Sequence, residues 1–279
     1  MGRLTGKVAF VTGAARGQGR SHAIELAREG ADVIAFDIAA HPAELDLGYK
    51  LGSAVELAET VSQIEALDRR VVSGHVDVRD AAALDDALGK AVAELGRLDI
   101  VCANAGIGAI VSAVHETSEE AWANTLDINL TGVWKTCKVA VPHLLASGAG
   151  GSIIITSSMA SLKTYQGISA YTAAKHGVVG LMKVLAAELG PHGIRVNSIH
   201  PTQVRTAMIQ NDATYKIFSP EVDNPTWEDF EPVSAAMHSL PIAVAEPVDI
   251  SNAVVFLASD SARLITGVPL PIDAGMLVK

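Results

Sequence analysis

Short apolar runs that return along the whole chain, each followed by a helical pattern, constrain this sequence more than anything else in it. The runs cover 8–11, 32–36, 71–76, 100–103, 153–155, 196–199 and, less sharply, 268–272. A strand that is apolar along its length has no face to give to water, so it is buried on both sides, as in a parallel sheet. Helical patterns fill the intervals at 20–29, 54–67, 80–95, 119–145, 169–189 and 247–258. Thr117 with Glu120 predicts a capping box ahead of the fourth of these. Such alternation predicts an α/β fold with a doubly wound sheet. No linker divides the chain and no internal repeat is visible, so residues 1–279 read as one domain.

Two stretches break the rhythm. Residues 38–53 form a long connection between the second strand and its helix. Residues 207–245 carry Pro220, Pro225, Pro232 and Pro241, together with Phe218, Trp227, Phe230 and Met237. A solvent loop has no need of those large apolar side chains, so this stretch is expected to be a substrate lid.

Composition removes several function classes. The net charge of −10 argues against a nucleic-acid surface. Two cysteines, Cys102 and Cys137, are too few for a disulfide framework or a four-thiolate zinc site. The nine histidines form no HxxxH or HxH pair, and no metal site is expected. No run is long enough for a signal-peptide core or a membrane span, so a cytoplasmic protein without membrane contact is expected.

The first strand runs into Thr12-Gly13-Ala-Ala-Arg16-Gly17-Gln18-Gly19, which opens a helix. Gly13, Gly17 and Gly19 allow a tight turn and a close approach to a pyrophosphate, which the free N–H groups of the helix N-terminus attract. The spacing is not that of a P-loop, although a methyltransferase nucleotide loop could share the turn. Asp37, 18 positions beyond Gly19, ends the second strand, where a carboxylate can bind an adenosine ribose diol. Arg16 would welcome a 2′-phosphate and Asp37 would repel one. The position of Asp37 favours NAD over NADP, with Arg16 over the adenosine side or solvated.

Tyr171 and Lys175 stand four apart at the start of a long helix, on one face. A phenol titrating near 10 must come down to about 7 to act as a base, which is about 4 kcal/mol. A nearby ammonium in a site of low dielectric can supply much of that. The strand at 153–155 ends in Thr156-Ser157-Ser158, bringing hydroxyls to the same sheet edge.

In this order, the Thr12–Gly19 turn, Asn104-Ala105-Gly106, Asn129 in Ile-Asn-Leu-Thr-Gly, Ser158 and Tyr171-x3-Lys175 resemble the short-chain dehydrogenase/reductase family over nearly the whole chain. The resemblance implies a Rossmann-like three-layer sandwich with a mostly parallel seven-stranded sheet, a nicotinamide cofactor and hydride exchange at a carbonyl or alcohol carbon. It implies that Tyr171 is the acid/base and that Ser158 holds the substrate oxygen. Lys175 would bind the nicotinamide ribose and lower the phenol pKa, and Asn129 would anchor a water in the proton path. The cofactor would lie against Gly13, Arg16, Gly17, Gln18, Gly19, Asp37, Ile38, Asp77, Val78, Asn104, Ala105, Gly106, Tyr171, Lys175, Pro201, Val204 and Thr206. Thr202 departs from the family pattern, which prefers Gly after the proline. The turn itself, segment 38–53, residues 95–107 and His200-Pro201-Thr202 further resemble the mycofactocin-associated, carveol-dehydrogenase-like branch. That branch implies NAD held tightly and turned over in place by an external redox carrier, and the family implies a homotetramer.

The expected function is hydride exchange between NAD and a small, fairly apolar secondary alcohol or ketone, carveol-like or another cyclic alcohol. An NADPH-dependent ketoreductase is opposed by Asp37. A non-catalytic nucleotide-binding regulator has no need of Ser158, Tyr171, Lys175 and Asn129 together.

Overall fold

The computed structural model describes residues 2–45 and 47–279. Its centre is a seven-stranded sheet in the order β3-β2-β1-β4-β5-β6-β7, every pairing parallel. The strands are β1 Val8–Thr12, β2 Asp32–Asp37, β3 Val71–His75, β4 Ile100–Ala103, β5 Gly151–Thr156, β6 Ile194–Pro201 and β7 Pro269–Ile272. The helices are α1 Gly17–Arg28, α2 Ala54–Glu65, α3 Ala81–Leu95, α4 Glu119–Leu126, α5 Gly132–Ser147, α6 Ser169–Leu189, α7 Asp212–Phe218, α8 Trp227–Ala236 and α9 Pro247–Ala258.

Alternation along each strand builds the two cores. Val8 and Phe10 of β1, with Ile34, Val101 and Ile153, pack under α3, α5 and α6. Ala9 and Val11, with Val33, Ile100 and Ile154, pack under α1, α2 and α9. Both faces of the central strands are therefore dry, which is why they read as continuous apolar runs. Phe10 is fully buried with its ring edge-on to Phe36, centroids 5.3 Å apart. Truncating a core ring of this kind costs about 3–5 kcal/mol.

Two expectations are corrected. The segment expected as one helix over 119–145 is interrupted by a π-helical turn, Asp127–Thr131, between α4 and α5. Periodicity is blind to one wide turn, because the apolar face resumes after it; such turns gather at functional sites. The cap of α4 is Ser118, whose hydroxyl accepts from Ala121 N at 3.1 Å. Thr117 bonds instead to Ser112 and Ala113. The excursion 207–245 folds into α7 and α8 around a cluster of Tyr215, Phe218, Trp227 and Phe230, with neighbouring centroids 4.7–6.4 Å apart. The base of this excursion is clipped by main-chain bonds between Gln203, Arg205 and Ala245.

Candidate active site

The carboxyl ends of β1, β4, β5 and β6 form the floor of a cleft of about 380 Å³. Thr12 Oγ1 accepts from the main-chain N–H groups of Asn104 and Ala105, both at 3.1 Å. The Asn104 amide donates to Thr12 O at 3.0 Å and accepts from Thr156 Oγ1 at 3.1 Å. One side chain thus joins three strand ends.

The glycine turn leaves its space to a ligand. Gly13 and Gly17 have φ of 71° and 58°, the left-handed region that favours glycine. A Cβ on Gly19 would lie 1.9 Å from Gly13 O. Arg16 precedes α1 without capping it, so the helix N-terminus faces the cleft uncapped by that side chain. Gln18 Oε1 is buried without a partner. A cradle closed to side chains, an open helix N-terminus and an orphaned acceptor suit a dinucleotide.

Asp37 is buried at the end of β2 and accepts from Ala15 N at 2.9 Å and Ala39 N at 3.0 Å. These bonds fix its carboxylate beside the cleft. Arg16 turns away from Asp37 toward segment 38–53: its guanidinium meets the carbonyl of Lys50, lies 5.8 Å from the Tyr49 ring centroid and 3.9 Å from Glu56. Asp77 is paired with Arg79 at 2.7 Å, and Glu44 reaches the same guanidinium at 3.2 Å.

At the other end of the cleft, Ser158, Tyr171 and Lys175 converge. The Lys175 ammonium donates to Thr156 O at 3.0 Å and lies 5.6 Å from the Tyr171 ring centroid. Burial pushes that ammonium down to about 8. The phenol does not follow the downward expectation: burial holds Tyr171 above its ordinary value, and the Ser158 hydroxyl pulls it partly back. Desolvation disfavours the charged form of each group, so it lowers the lysine and raises the tyrosine. Lys175 therefore does not by itself overcome the burial of the phenol; a cation bound beside it would add the missing pull.

Every residue expected to touch the cofactor lines this one cleft: Gly13, Arg16, Gly17, Gln18, Gly19, Asp37, Ile38, Asp77, Val78, Asn104, Ala105, Gly106, Tyr171, Lys175, Pro201, Val204 and Thr206, with Ser158. Asn129 is the exception. It sits fully buried behind the wall, in the π turn, and its amide is taken up by both main-chain groups of Ile107, at 2.8 and 3.0 Å. A Cβ on Gly106 would meet that amide at 2.7 Å.

Sequence reasoning expected a cover but missed the residues that make the roof. Tyr49, from segment 38–53, accepts from Gly108 N at 2.8 Å and feels the charge of Tyr171. Burial pushes its phenol up to about 12. Leu45, Leu47 and Leu51 anchor the segment on Val78, Ile107 and Ile128. A Cβ on Gly48 would lie 2.7 Å from Ala213 of α7, and one on Gly108 would meet both Met208 and Tyr49. The two excursions, 165 positions apart at Gly48 and Ala213, therefore meet over one cleft. Beyond Tyr171 the wall is apolar, with Ile168, Met208, Ile217, Phe218 and Met237. Met276, fully buried near the C-terminus, closes it and accepts from the Tyr165 hydroxyl at 2.8 Å through its sulfur. No motif marks a loop tyrosine or a C-terminal methionine. Among the described residues no group of three His, Cys, Asp or Glu could hold a metal, and no helix is long and apolar enough to cross a membrane.

The family model described as short chain dehydrogenase matches residues 7–216. The chain belongs to that family. It is 57% identical to (-)-trans-carveol dehydrogenase of Rhodococcus erythropolis over 280 residues, covering all of both chains. The solved structure of carveol dehydrogenase from Mycobacterium avium in complex with NAD matches with a TM-score of 0.98 at 53% identity, again over all of both chains. A short chain dehydrogenase from Mycobacterium paratuberculosis bound to NAD matches over both whole chains with a TM-score of 0.90 at 44% identity.

Proposed function

We propose that this protein is an NAD-dependent dehydrogenase that interconverts small, fairly apolar cyclic secondary alcohols, carveol-like in size, and their ketones. The observation that carries the reading is the convergence of Ser158, Tyr171 and Lys175 between a dinucleotide cradle and an apolar wall. The high identity to a carveol dehydrogenase and the likeness to NAD complexes support it.

Bound along the cleft by the residues named above, NAD supplies the hydride acceptor for alcohol oxidation. Ser158 donates a hydrogen bond to the alcohol oxygen and orients it. Tyr171, as phenolate, takes the hydroxyl proton; Lys175, fixed by its bond to the Thr156 carbonyl, attracts the phenolate. Asn129 serves the proton path by holding the Ile107 main chain beside Lys175, and a water anchored at its own main chain belongs to this reading. Asp37 selects NAD, because a 2′-phosphate beside its carboxylate is repelled. The apolar wall accepts a hydrocarbon ring.

Residues 1–279 act as one domain. Segment 38–53 is a strap that keeps NAD bound between cycles, with an external redox carrier reoxidising it. Residues 207–245 are the substrate lid. The buried free thiols Cys102 and Cys137 suit the reducing cytoplasm. The exposed Trp134, Leu145 and Val184 on α5 and α6 offer apolar surface for a homotetramer.

The experiment is oxidation of a panel of cyclic secondary alcohols by the purified protein with NAD, NADP or an artificial electron acceptor. Activity confined to NADP, or to acyclic polyols, overturns the reading. The strap is tested by the same preparation: it should purify with NAD and turn over faster with the artificial acceptor than with free NAD. Purification as apoenzyme with brisk release of NADH removes the strap's role and leaves an ordinary exchanging dehydrogenase.

A further inference from the structure

His200, the penultimate residue of β6, is fully buried beneath the catalytic turn. Its Nε2 lies 2.8 Å from Ser198 Oγ. Its Nδ1 lies 2.8 Å from Ser161 Oγ and 3.1 Å from the main-chain carbonyl of Ser158. A carbonyl can only accept, so Nδ1 carries the proton, Nε2 accepts, and Ser198 donates. Burial pushes the imidazole down to about 4, which keeps this neutral tautomer at physiological pH.

The network continues to the second catalytic element. Ser161 Oγ, which accepts from Nδ1–H, lies 2.9 Å from Ser157 Oγ and 2.7 Å from the Ser158 carbonyl; donating its one proton to Ser157 continues the chain. Ser157 Oγ in turn donates to the Lys175 carbonyl at 3.0 Å. Ser158 opens a short 3-10 turn, Met159–Ser161, and its hydroxyl accepts from Ala160 N at 3.1 Å. With its carbonyl accepting from the His200 ring and from the Ser161 main-chain N–H at 3.0 Å, and one of its hydroxyl lone pairs held by Ala160, Ser158 has little freedom to turn.

We propose that His200 is a positioning residue of the reaction: its Nδ1–H holds the Ser158 carbonyl, and through Ser161 and Ser157 it keeps the Ser158 hydroxyl in register with Tyr171 and Lys175. The proposal rests on the reading of Ser158 and Tyr171 as the catalytic pair. Displacing Ser158 removes the hydrogen bond that pulls the Tyr171 phenol down. The other titratable groups around that phenol are Lys175 on α6 and Tyr49 on the strap; those facing the imidazole are Lys175 and His176. None of them is altered by a change at His200.

The test compares His200→Leu, His200→Asn, Ser161→Ala, Ser158→Ala and Tyr171→Phe in the NAD-loaded protein, reading kcat and KM for a cyclic alcohol, the pH profile of kcat, NAD retention and Tm. For His200→Leu we expect kcat to fall about tenfold to a hundredfold, the effect of a misplaced reacting group. The rise of kcat with pH should shift to higher pH, as in Ser158→Ala, with NAD retention unchanged. Asn can place an N–H near Nδ1 and should recover most of the loss. Wild-type kcat and profile in His200→Leu, or a loss of kcat with an unshifted profile that Asn does not rescue, overturns the proposal. Should His200→Leu fail to fold, Ser161→Ala removes the hydroxyl partner of Nδ1 and the relay toward Ser157 while leaving the imidazole in place, and an unshifted profile there overturns it equally. Retained turnover in Tyr171→Phe defeats the underlying reading; an inactive Tyr171→Phe beside fully active His200 and Ser161 variants defeats the proposal alone.

Discussion

The floor of the cleft and its roof are held by different forces. The floor is tied by short, directional bonds between strand ends: Thr12 to Asn104 and Ala105, Asn104 to Thr156, Lys175 to Thr156, Asn129 to Ile107. Several of these groups are buried, where an unmade hydrogen bond costs about 1–3 kcal/mol, so each partner specifies the next. The roof is held by apolar contacts and by pairs at the surface: Leu45 and Leu47 on Ile107, Glu44 on Arg79, Arg205 over Trp227 at 4.8 Å. Such contacts tolerate sliding. A rigid floor under an adjustable roof suits a site that must fix reacting atoms while admitting and releasing substrate.

The sharpest break between the two regions is at Tyr171. Tyr171→Phe should lower alcohol oxidation by about 10²–10⁴-fold while NAD stays bound. Near-normal turnover would move the chemistry away from the floor.

Acid should also strike the floor. His22, buried in α1 against Ser251 of α9, is held down to about 3, and His200 to about 4. Both stay neutral in the folded protein, whereas the unfolded chain protonates them below about 6.5. Stability is therefore complete above that pH and falls as pH drops toward the folded values. At pH 5 each histidine costs about 2 kcal/mol relative to pH 7. Denaturant melts at the two pH values check this; equal stability would mean that neither imidazole is held neutral.

Asp37 sits where floor meets roof. Asp37→Ala should narrow the preference for NAD over NADP by roughly tenfold to a hundredfold, since like charges about 4 Å apart repel by up to about 4 kcal/mol at an effective dielectric near 20. Binding titrations with both cofactors decide, and an unchanged ratio would place selectivity elsewhere.

The smallest effect belongs to the roof alone. Tyr49→Phe leaves the Gly108 N–H without its acceptor, a loss of about 1 kcal/mol, and should speed NAD release about fivefold without changing the chemical step. Stopped-flow release against single-turnover oxidation separates the two. A change in single-turnover rate with release unaltered would make Tyr49 part of the floor.

The parts of this protein written in local chemistry were readable before folding. Buried strands need apolar runs, Gly13 and Gly17 need a backbone that other residues resist, and Tyr171 and Lys175 share a face because a helix turns every 3.6 residues. Those demands act within a few residues of chain, so sequence order carries them, and the cofactor positions they give, with those the family resemblance implies, all reach one cleft. What escaped the sequence acts across distance. Tyr49 meets Gly108, and Gly48 meets Ala213, only after the sheet has brought the ends of β2, β4 and β6 together. The π turn that turns Asn129 inward changes one helical turn without disturbing the apolar period around it. The phenol of Tyr171 rises rather than falls because desolvation, which no spacing encodes, outweighs the pull of the Ser158 hydroxyl. Burial and long-range contact are properties of the packed molecule, and the tertiary structure alone decides them.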